Sequence, residues 1–486
     1  MSTHRPAGHM SPDAPPAAPT TRDWVVLALL CIAQFMLVLD VTAANIALPS
    51  IASDLRLGTS DLTWVITAYA VTFGGLMLLG GRLADVLGRR RLLVTGLVLF
   101  TVSSALCGLA LDGVQLIAGR AVQGVGAALL SPAALASVST LFTGAARTRA
   151  LGVWAGIGAS GFAVGLLASG LLTSGPGWRW IFLVNVPIGV ALIPLLLRML
   201  PASSGIGGRI DLVGGLLATV FAAALVVALG GLGGLGDAAG GLASWWPITL
   251  ALGVAVLALV LFVLQERCHP APLVPLGVLR RRPVMTGLAL MLLASAAMLS
   301  LFFLASMYLQ QVVGLDPFQT GLVFLPSAVA TVISAHLASR ALARFSVRLV
   351  AAGAFAITAA GGLVLTQLDG SSALWYPLIA GLVLVSFGLG PAFLTATASA
   401  LARVDVHEAG LASGIVNTGH EIGGAFGVAA VASVIGAASA SLLDPGAYAR
   451  GFAALAIAAL AAAIVSLVFI APGRIDSSAL PEGPLH

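Results

Sequence analysis

Charge is what this sequence most lacks. Asp, Glu, Lys and Arg make up 8% of its 486 residues, against roughly 25% in a soluble globular domain. Lysine is absent altogether, so all basic side chains are arginine; we read this as compositional bias without mechanistic content. With 59% hydrophobic residues, most of the chain must face lipid. Cysteine is scarce too. Cys31, Cys107 and Cys268 show no CxxC or CxxH spacing, which excludes a disulfide framework or a zinc motif. No nucleophile with a neighbouring base, no paired acids and no metal-ligand cluster stand out, so the chain is read as no enzyme and no cofactor is expected. A net charge of +5 taken alone is compatible with nucleic-acid binding, but the arginines fall in short loops at alternate helix ends. That pattern is a topology signal, and nucleic-acid binding is excluded on it.

What the sequence has in abundance is apolar runs of the ~20-residue length that crosses a hydrocarbon core. Six fall between Trp24 and about residue 200, two between about 211 and 265, and six between about 284 and 471. The fold class expected is an all-α integral membrane protein of about fourteen spans. Its parts are a disordered tail (1–23), a six-helix bundle (24–200), two central helices with a linker (201–283), a second six-helix bundle (284–472) and a second tail (473–486). No cleavable signal is evident. Short connections imply antiparallel neighbours. Two bundles related by an axis along the membrane normal would place a binding site between them near the midplane.

Arginine content fixes the expected orientation. The stretch GRLADVLGRRR, Gly81–Arg91, reads as a short polar loop with four arginines, and Arg-rich short loops stay cytoplasmic. Arg147, Arg149, Arg198, Arg209, Arg280–Arg282, Arg340, Arg344 and Arg348 fall on the same side. Asp54, Asp61, Asp112, Asp237, Asp316, Asp369 and Asp444 dominate the other. An even number of spans puts both termini in the cytoplasm.

Inside the spans, three ionisable residues stand out, because such groups are costly at membrane depth and mark a site or pathway. Asp40 lies about 24 Å along its helix from Trp24 at 1.5 Å per residue. Arg120, in the fourth span, falls at a depth that makes an ion pair with Asp40 geometrically accessible. Glu421 is the only Glu in any span and the second bundle's best counterpart to Asp40. Phe35, Asn45, Tyr69, Gln123, Tyr308, Phe324 and Asn417 are candidates for a substrate pathway. Trp24, Trp178, Trp245, Trp246 and Trp375 sit near span ends and read as interfacial anchors.

These motifs resemble the major facilitator superfamily. In the Arg-rich loop Gly81, Leu83, Asp85, Gly88, Arg89 and Arg90 match a family signature, with Val86 where an Arg is usual. Asp40, Thr42, Asn45, Ala47, Leu48 and Pro49 are similar to the first-helix motif of the fourteen-span drug:proton antiporter group, the EmrB/QacA type. Arg120, Gln123, Gly124 and Gly126 resemble the fourth-helix motif, whose Arg is implicated in proton transfer. Gly165 and Gly170 match the fifth-helix antiporter motif, but Leu166 and Ser169 replace a Pro and a Gly of its GPxxGG. Trp178–Gly189, WRWIFLVNVPIG, returns to the group's pattern.

The resemblance implies a monomeric secondary transporter of the bacterial plasma membrane, exporting small organic molecules against protons. Asp40, Arg120 and Glu421 would couple protons. Gly81, Asp85, Gly88, Arg89, Arg90, Gly165 and Gly170 would serve gating, with Asp85 reaching the amino end of the helix that starts near Arg348. The altered fifth-helix motif leaves proton-coupled uptake of a nutrient or metabolite as the alternative, with a non-transporting sensor third.

Overall fold

The computed structural model describes residues 19–203, 205, 207–232, 245–368, 375–401, 409–438 and 443–470. Most of both expected tails, Asp237 and Asp369 lie outside the described residues. Within them the chain is helical and contains no strand. The first bundle comprises α1 (Thr21–Leu55), α2 (Thr59–Leu87), α3 (Arg89–Gly108), α4 (Gly113–Leu141), α5 (Gly144–Ser174), α6 (Trp180–Leu183) and α7 (Asn185–Met199). Then come α8 (Leu212–Gly231), α9 (Trp246–Cys268) and the short α10 (Leu276–Leu279). The second bundle comprises α11 (Arg282–Met307), α12 (Pro317–Val323), α13 (Leu325–Arg344), α14 (Val347–Leu365), α15 (Trp375–Leu401), α16 (Ala409–Ala438) and α17 (Pro445–Phe469). Among the described residues, 13 helical stretches are long and apolar enough to cross a membrane. The 31-residue α5 is long enough to be a fourteenth.

Helix starts and breaks follow from local chemistry. Asp112, Asp316 and Asp444, expected on the outer side, each accept a backbone N–H and cap α4, α12 and α17. Such a cap satisfies one of the donors that a helix N-terminus leaves open. The α6–α7 break falls just before Pro187, and the α12–α13 break just before Pro326. Proline has no N–H for the carbonyl four residues back, so the helix bends there. Both pairs are therefore single spans with a kink.

The Arg-rich stretch is not the loop the sequence pattern suggests. Helix α2 runs on to Leu87 and α3 starts at Arg89, so Gly88 is the whole connection, at φ 97° and ψ 129°. That conformation is open to glycine and strained for other residues. Leu83, Ala84 and Val86 supply enough apolar surface to keep the helix going. The segment after α7 lies across this corner. The Ser203 hydroxyl accepts from Arg90 N at 3.2 Å, and the Arg90 guanidinium donates to the Leu197 carbonyl. Gly205 packs on the backbone of Val86. The expected contact between Asp85 and α14 is not made: Asp85 lies 3.7 Å from Arg89, and Ser346 caps α14 instead. Trp178 is also no exposed anchor. It is buried and donates to Asp54 at 3.0 Å, whereas Trp245, Trp246 and Trp375 are exposed.

Helix pairing defines two bundles. In the first, α2 and α3 pack on α4, and α1 on α5; in the second, α14 and α13 pack on α15, and α11 on α16. The bundles meet along α2–α16, with α8 laid over both, and along α5–α12. At the end expected to face outside, one continuous apolar core joins them, including Leu39 and Ile46 of α1, Phe302 and Phe303 of α11, Phe324, and Tyr448 of α17. Hydrogen bonds cross there too. Ser306 Oγ donates to the Asn45 carbonyl at 3.1 Å, Gln310 Nε2 to the Ile46 carbonyl at 2.9 Å, and Phe318 N to Ser174 Oγ at 3.1 Å. Towards the other end each bundle has its own core, one around Leu93, Leu130 and Ala134, the other around Leu290, Phe355 and Ala396, and a smaller apolar cluster joins Leu79 of α2 to Val284 of α11 and Ile415 of α16. The densest contact between the bundles is therefore at the end that holds Asn45, Ser174 and Gln310.

Cysteines at Ser174 and Phe318 are expected to form a disulfide under mild oxidation, since the Ser174 side chain already reaches the Phe318 backbone N. A pair at Val153 and Leu337, at matching cytoplasmic depth on α5 and α13, should not. Crosslinking of the second pair alone, measured by thiol titration, would contradict the packing of α5 on α12 rather than on α13.

Candidate functional site

The structure joins Asp40 and Arg120. Both are about 1% exposed, and Arg120 Nη1 is paired with Asp40 Oδ2. Spacing on α4 puts Gln123 one turn from Arg120 on the same helix face. Gln123 Oε1 accepts from Arg120 Nη1 at 2.7 Å, and its Nε2 donates to Asp40 Oδ1 and to Ser104 Oγ, both at 2.7 Å. From α7, Asn185 Nδ2 donates to Asp40 Oδ1 at 3.3 Å and to Ser104 Oγ at 3.2 Å. Arg120 Nε donates to the Val65 carbonyl of α2 at 3.0 Å. Its guanidinium carbon lies 4.4 Å from the Tyr69 ring centre and 5.6 Å from that of Phe182, a geometry in which the ring face attracts the cation.

Both carboxylate oxygens and two of the three guanidinium nitrogens therefore have hydrogen-bond partners, and aromatic faces lie against the guanidinium, which is how a buried pair is tolerated. The backbone makes room for it. Gly124 lies where a Cβ would meet the Tyr69 carbonyl of α2, so α4 can approach α2 closely enough for Arg120 to reach Val65.

The other sequence candidates fall elsewhere. Glu421 is partly buried in mid-α16 against Gly74 of α2, and no described residue pairs with its carboxylate. It is not brought to Asp40 as a partner. Asn417 lies one turn towards the cytoplasm on the same helix. Asn45 donates its side-chain amide to Val41 O at 2.9 Å, and its carbonyl belongs to the outer seal. Tyr308 and Phe324 are buried in that seal; Tyr308 packs on Tyr448 at 5.6 Å and Phe324 on Phe302 at 5.0 Å. Phe35 lines an apolar cavity of about 470 Å³ between α1 and α5, with Trp24, Cys31, Val153 and Ile157. Gly165 faces Thr42 of α1, and Gly170 lies where a Cβ would meet the backbone of Pro317 and Phe318. Gly170 thus permits the approach of α5 to the second bundle at the outer seal.

Sequence reasoning missed Ser104, Asn185 and Phe182. Asn185 carried a signal, a carboxamide in an apolar span two residues before a proline. Ser104 carried none that separates it from Ser103.

Fold and site together define a two-bundle membrane transporter with a charge pair locked inside one bundle. The profile of the Major Facilitator Superfamily matches residues 30–428, and the chain belongs to that family. It is 41% identical over 438 residues to the puromycin resistance protein pur8 of Streptomyces alboniger, covering 88% of this chain and 85% of that one. It is 35% identical over 475 residues to the cephamycin export protein CmcT of Amycolatopsis lactamdurans, covering 96% of each. In fold it resembles a crystal structure of the POT family transporter PepTSo, with TM-score 0.67, 16% identity, and coverage of 93% of this chain and 98% of that one.

Removing Arg120 strands a carboxylate, whereas removing the charge of Asp40 leaves Arg120 with Gln123, the Val65 carbonyl and the Tyr69 ring. Breaking a buried pair costs about 3–5 kcal/mol. Arg120→Leu is therefore expected to melt well below Asp40→Asn in detergent. Equal melting temperatures would contradict the charge pair.

Proposed function

We propose that this protein is a proton-driven exporter of small organic molecules, working as a monomer by alternating access in a bacterial plasma membrane, with both termini cytoplasmic. The observation that carries the reading is the Asp40–Arg120 pair, buried in one bundle of a two-bundle transporter. The resistance and export roles in the names of pur8 and CmcT favour export over uptake.

Burial opposes the ionised form of an acid and a neighbouring arginine favours it, so the two effects compete and water access decides between them. Facing outward, Asp40 takes a proton from water and loosens its hold on Arg120. Facing inward, it releases the proton as substrate binds, and the carboxylate re-pairs. One proton moving down 100 mV yields roughly 2.3 kcal/mol, enough for about a fiftyfold gradient of a neutral substrate at about 1.4 kcal/mol per tenfold. Glu421 is the second candidate carrier. Gly88 and the Asp85, Arg89 and Arg90 around it form the cytoplasmic corner that moves with closure. The apolar cavity at Phe35, open along one side, is the candidate place for the exported molecule.

Orientation is tested by labelling. Cysteine at exposed Leu111 should react with an impermeant maleimide from outside intact cells, and cysteine at Phe345 should not; the reverse pattern would invert the topology. For coupling, Asp40→Asn is expected to accumulate near normal levels in the membrane yet give no pH-driven uphill transport in proteoliposomes. Retained pH-driven accumulation would remove Asp40 as carrier, and Glu421→Gln in the same assay would then test the second bundle.

A further inference from the structure

We propose that Asn185 is a positioning residue for Asp40, whose side-chain amide donates to the carboxylate and, turned over, accepts from the protonated acid. This rests on Asp40 being the proton site.

The starting observation is an imbalance. Asn185 is fully buried, and its Nδ2 serves both Asp40 Oδ1 and Ser104 Oγ, at 3.3 and 3.2 Å. Its Oδ1 is buried with no hydrogen-bond partner. An acceptor left unmade in a dry site carries a desolvation penalty, and such an atom in a native structure calls for an explanation. The explanation here lies in the two atoms that Nδ2 touches. Both are oxygens, and each carries a hydrogen once Asp40 is protonated: Asp40 through its new O–H, Ser104 through its hydroxyl. Rotating the amide by half a turn exchanges Nδ2 for Oδ1 at the same place. The orphan acceptor then receives both hydrogens, and Nδ2 takes its former position.

Gln123 lacks this freedom. Its Oε1 is held by Arg120 Nη1 at 2.7 Å, and turning it over would set an N–H against the guanidinium. Gln123 therefore stays with Arg120 in both states, while Asn185 follows Asp40. The backbone supports the division of labour. Asn185 starts α7 at the kink before Pro187, so its side chain projects from a helix corner.

The groups facing Asp40 from the surrounding helices are few. Arg120 comes from α4, Tyr69 from α2 behind the guanidinium, and Cys107 from α3, with Sγ 3.9 Å from Gln123 Oε1. Phe182 of α6 is apolar, and from α5 the Ser169 hydroxyl donates to the Ala43 carbonyl. From the second bundle Glu421 reaches α2 at Gly74. Of the two amides that donate to Asp40, Gln123 and Asn185, only Asn185 has an acceptor to spare. The proton itself comes from water and returns to water. An O–H bond forms and breaks on Asp40, and Asn185 neither gains nor loses an atom.

The test needs protons alone. Full-length protein in lipid nanodiscs is titrated with acid and followed by infrared difference spectroscopy, and the Asp40 carboxyl C=O band is identified by its loss in Asp40→Asn. With Asn185→Leu, close in shape but without polar atoms, that band should move to the higher frequency of an acid lacking a hydrogen-bond acceptor. The titration midpoint should stay within about threefold in proton concentration, because both protonation states lose one partner. Asn185→Ser, whose hydroxyl both donates and accepts, should give an intermediate band and serves if the leucine variant does not insert. A band unmoved in both variants overturns the proposal. So does a midpoint displaced by more than about tenfold with the band in place, which is the mark of an amide that only donates. If no titrating carboxyl band disappears in Asp40→Asn, the proton-site reading itself falls, and this inference with it.

Discussion

An ionised arginine or aspartate without a counter-charge is costly in the middle of a lipid-embedded bundle, and the local design of the first bundle follows from pairing them. An unpaired charge there has no water to solvate it, so each must find the other and satisfy its remaining donors and acceptors. Arg120 has a carboxylate, an amide oxygen, a backbone carbonyl and an aromatic face within reach. That set draws on α1, α2 and α4 at once. The helices can supply it only by approaching closely, and the small residues of α4 allow this: Gly124 lies against Tyr69 and Thr72, and Gly126 against Gly96 and Phe100 of α3. The motif glycines and the motif arginine are one device, since the first brings the backbone near and the second uses the proximity.

The contacts between bundles obey a different rule. At the outer end they are apolar and dense, with few hydrogen bonds, so they can separate without stranding a charge. Along α2–α16 the seam is continuous and reinforced by α8, whose Ala222 and Val226 pack with Ala70 of α2 and Ala425 of α16. The base of the α8–α9 hairpin is tied by polar contacts. Asp211 caps α8 and accepts from Gln265 at 2.9 Å, and Glu266 accepts from Val274 N at 3.0 Å in the following linker. The inserted pair is fixed to the seam that stays shut in this structure, and it leaves the α5–α12 side, with Gly170 at its closest approach, free of added helices.

Much of this was legible in sequence because lipid makes the code simple. A span must be apolar and about 20 residues long, so span number and fold class follow from hydropathy. Asp40 and Arg120 stood out because their types are rare at that depth. Three things were not legible. Gly81–Arg91 looked like a loop because it is polar, but polarity at a membrane surface does not end a helix; the backbone turns at Gly88 alone. The outer aspartates read as orientation markers, yet Asp112, Asp316 and Asp444 are where they are because helices begin there and need a cap. Ser104 and Asn185 enter the site through the packing of α3 and α7 on α1 and α4, a tertiary fact that no spacing along one helix encodes.

The two bundles share an architecture but not a charge arrangement. In the first, Asp40 carries a fixed counter-charge and hydrogen bonds to Gln123 and Asn185, so moving a proton on or off rearranges a whole network. In the second, Glu421 stands without a described partner beside Gly74, so protonating it changes one side chain at the seam between bundles. A network sealed within one bundle can hold a protonation state through a rigid-body rocking motion, because none of its bonds crosses the moving interface. A group lying at the interface cannot do so, since its surroundings change as the bundles separate. On the proposed coupling the labour would divide accordingly: the first bundle would store the proton, and the acid at the seam would respond to whether the seam is wet or dry.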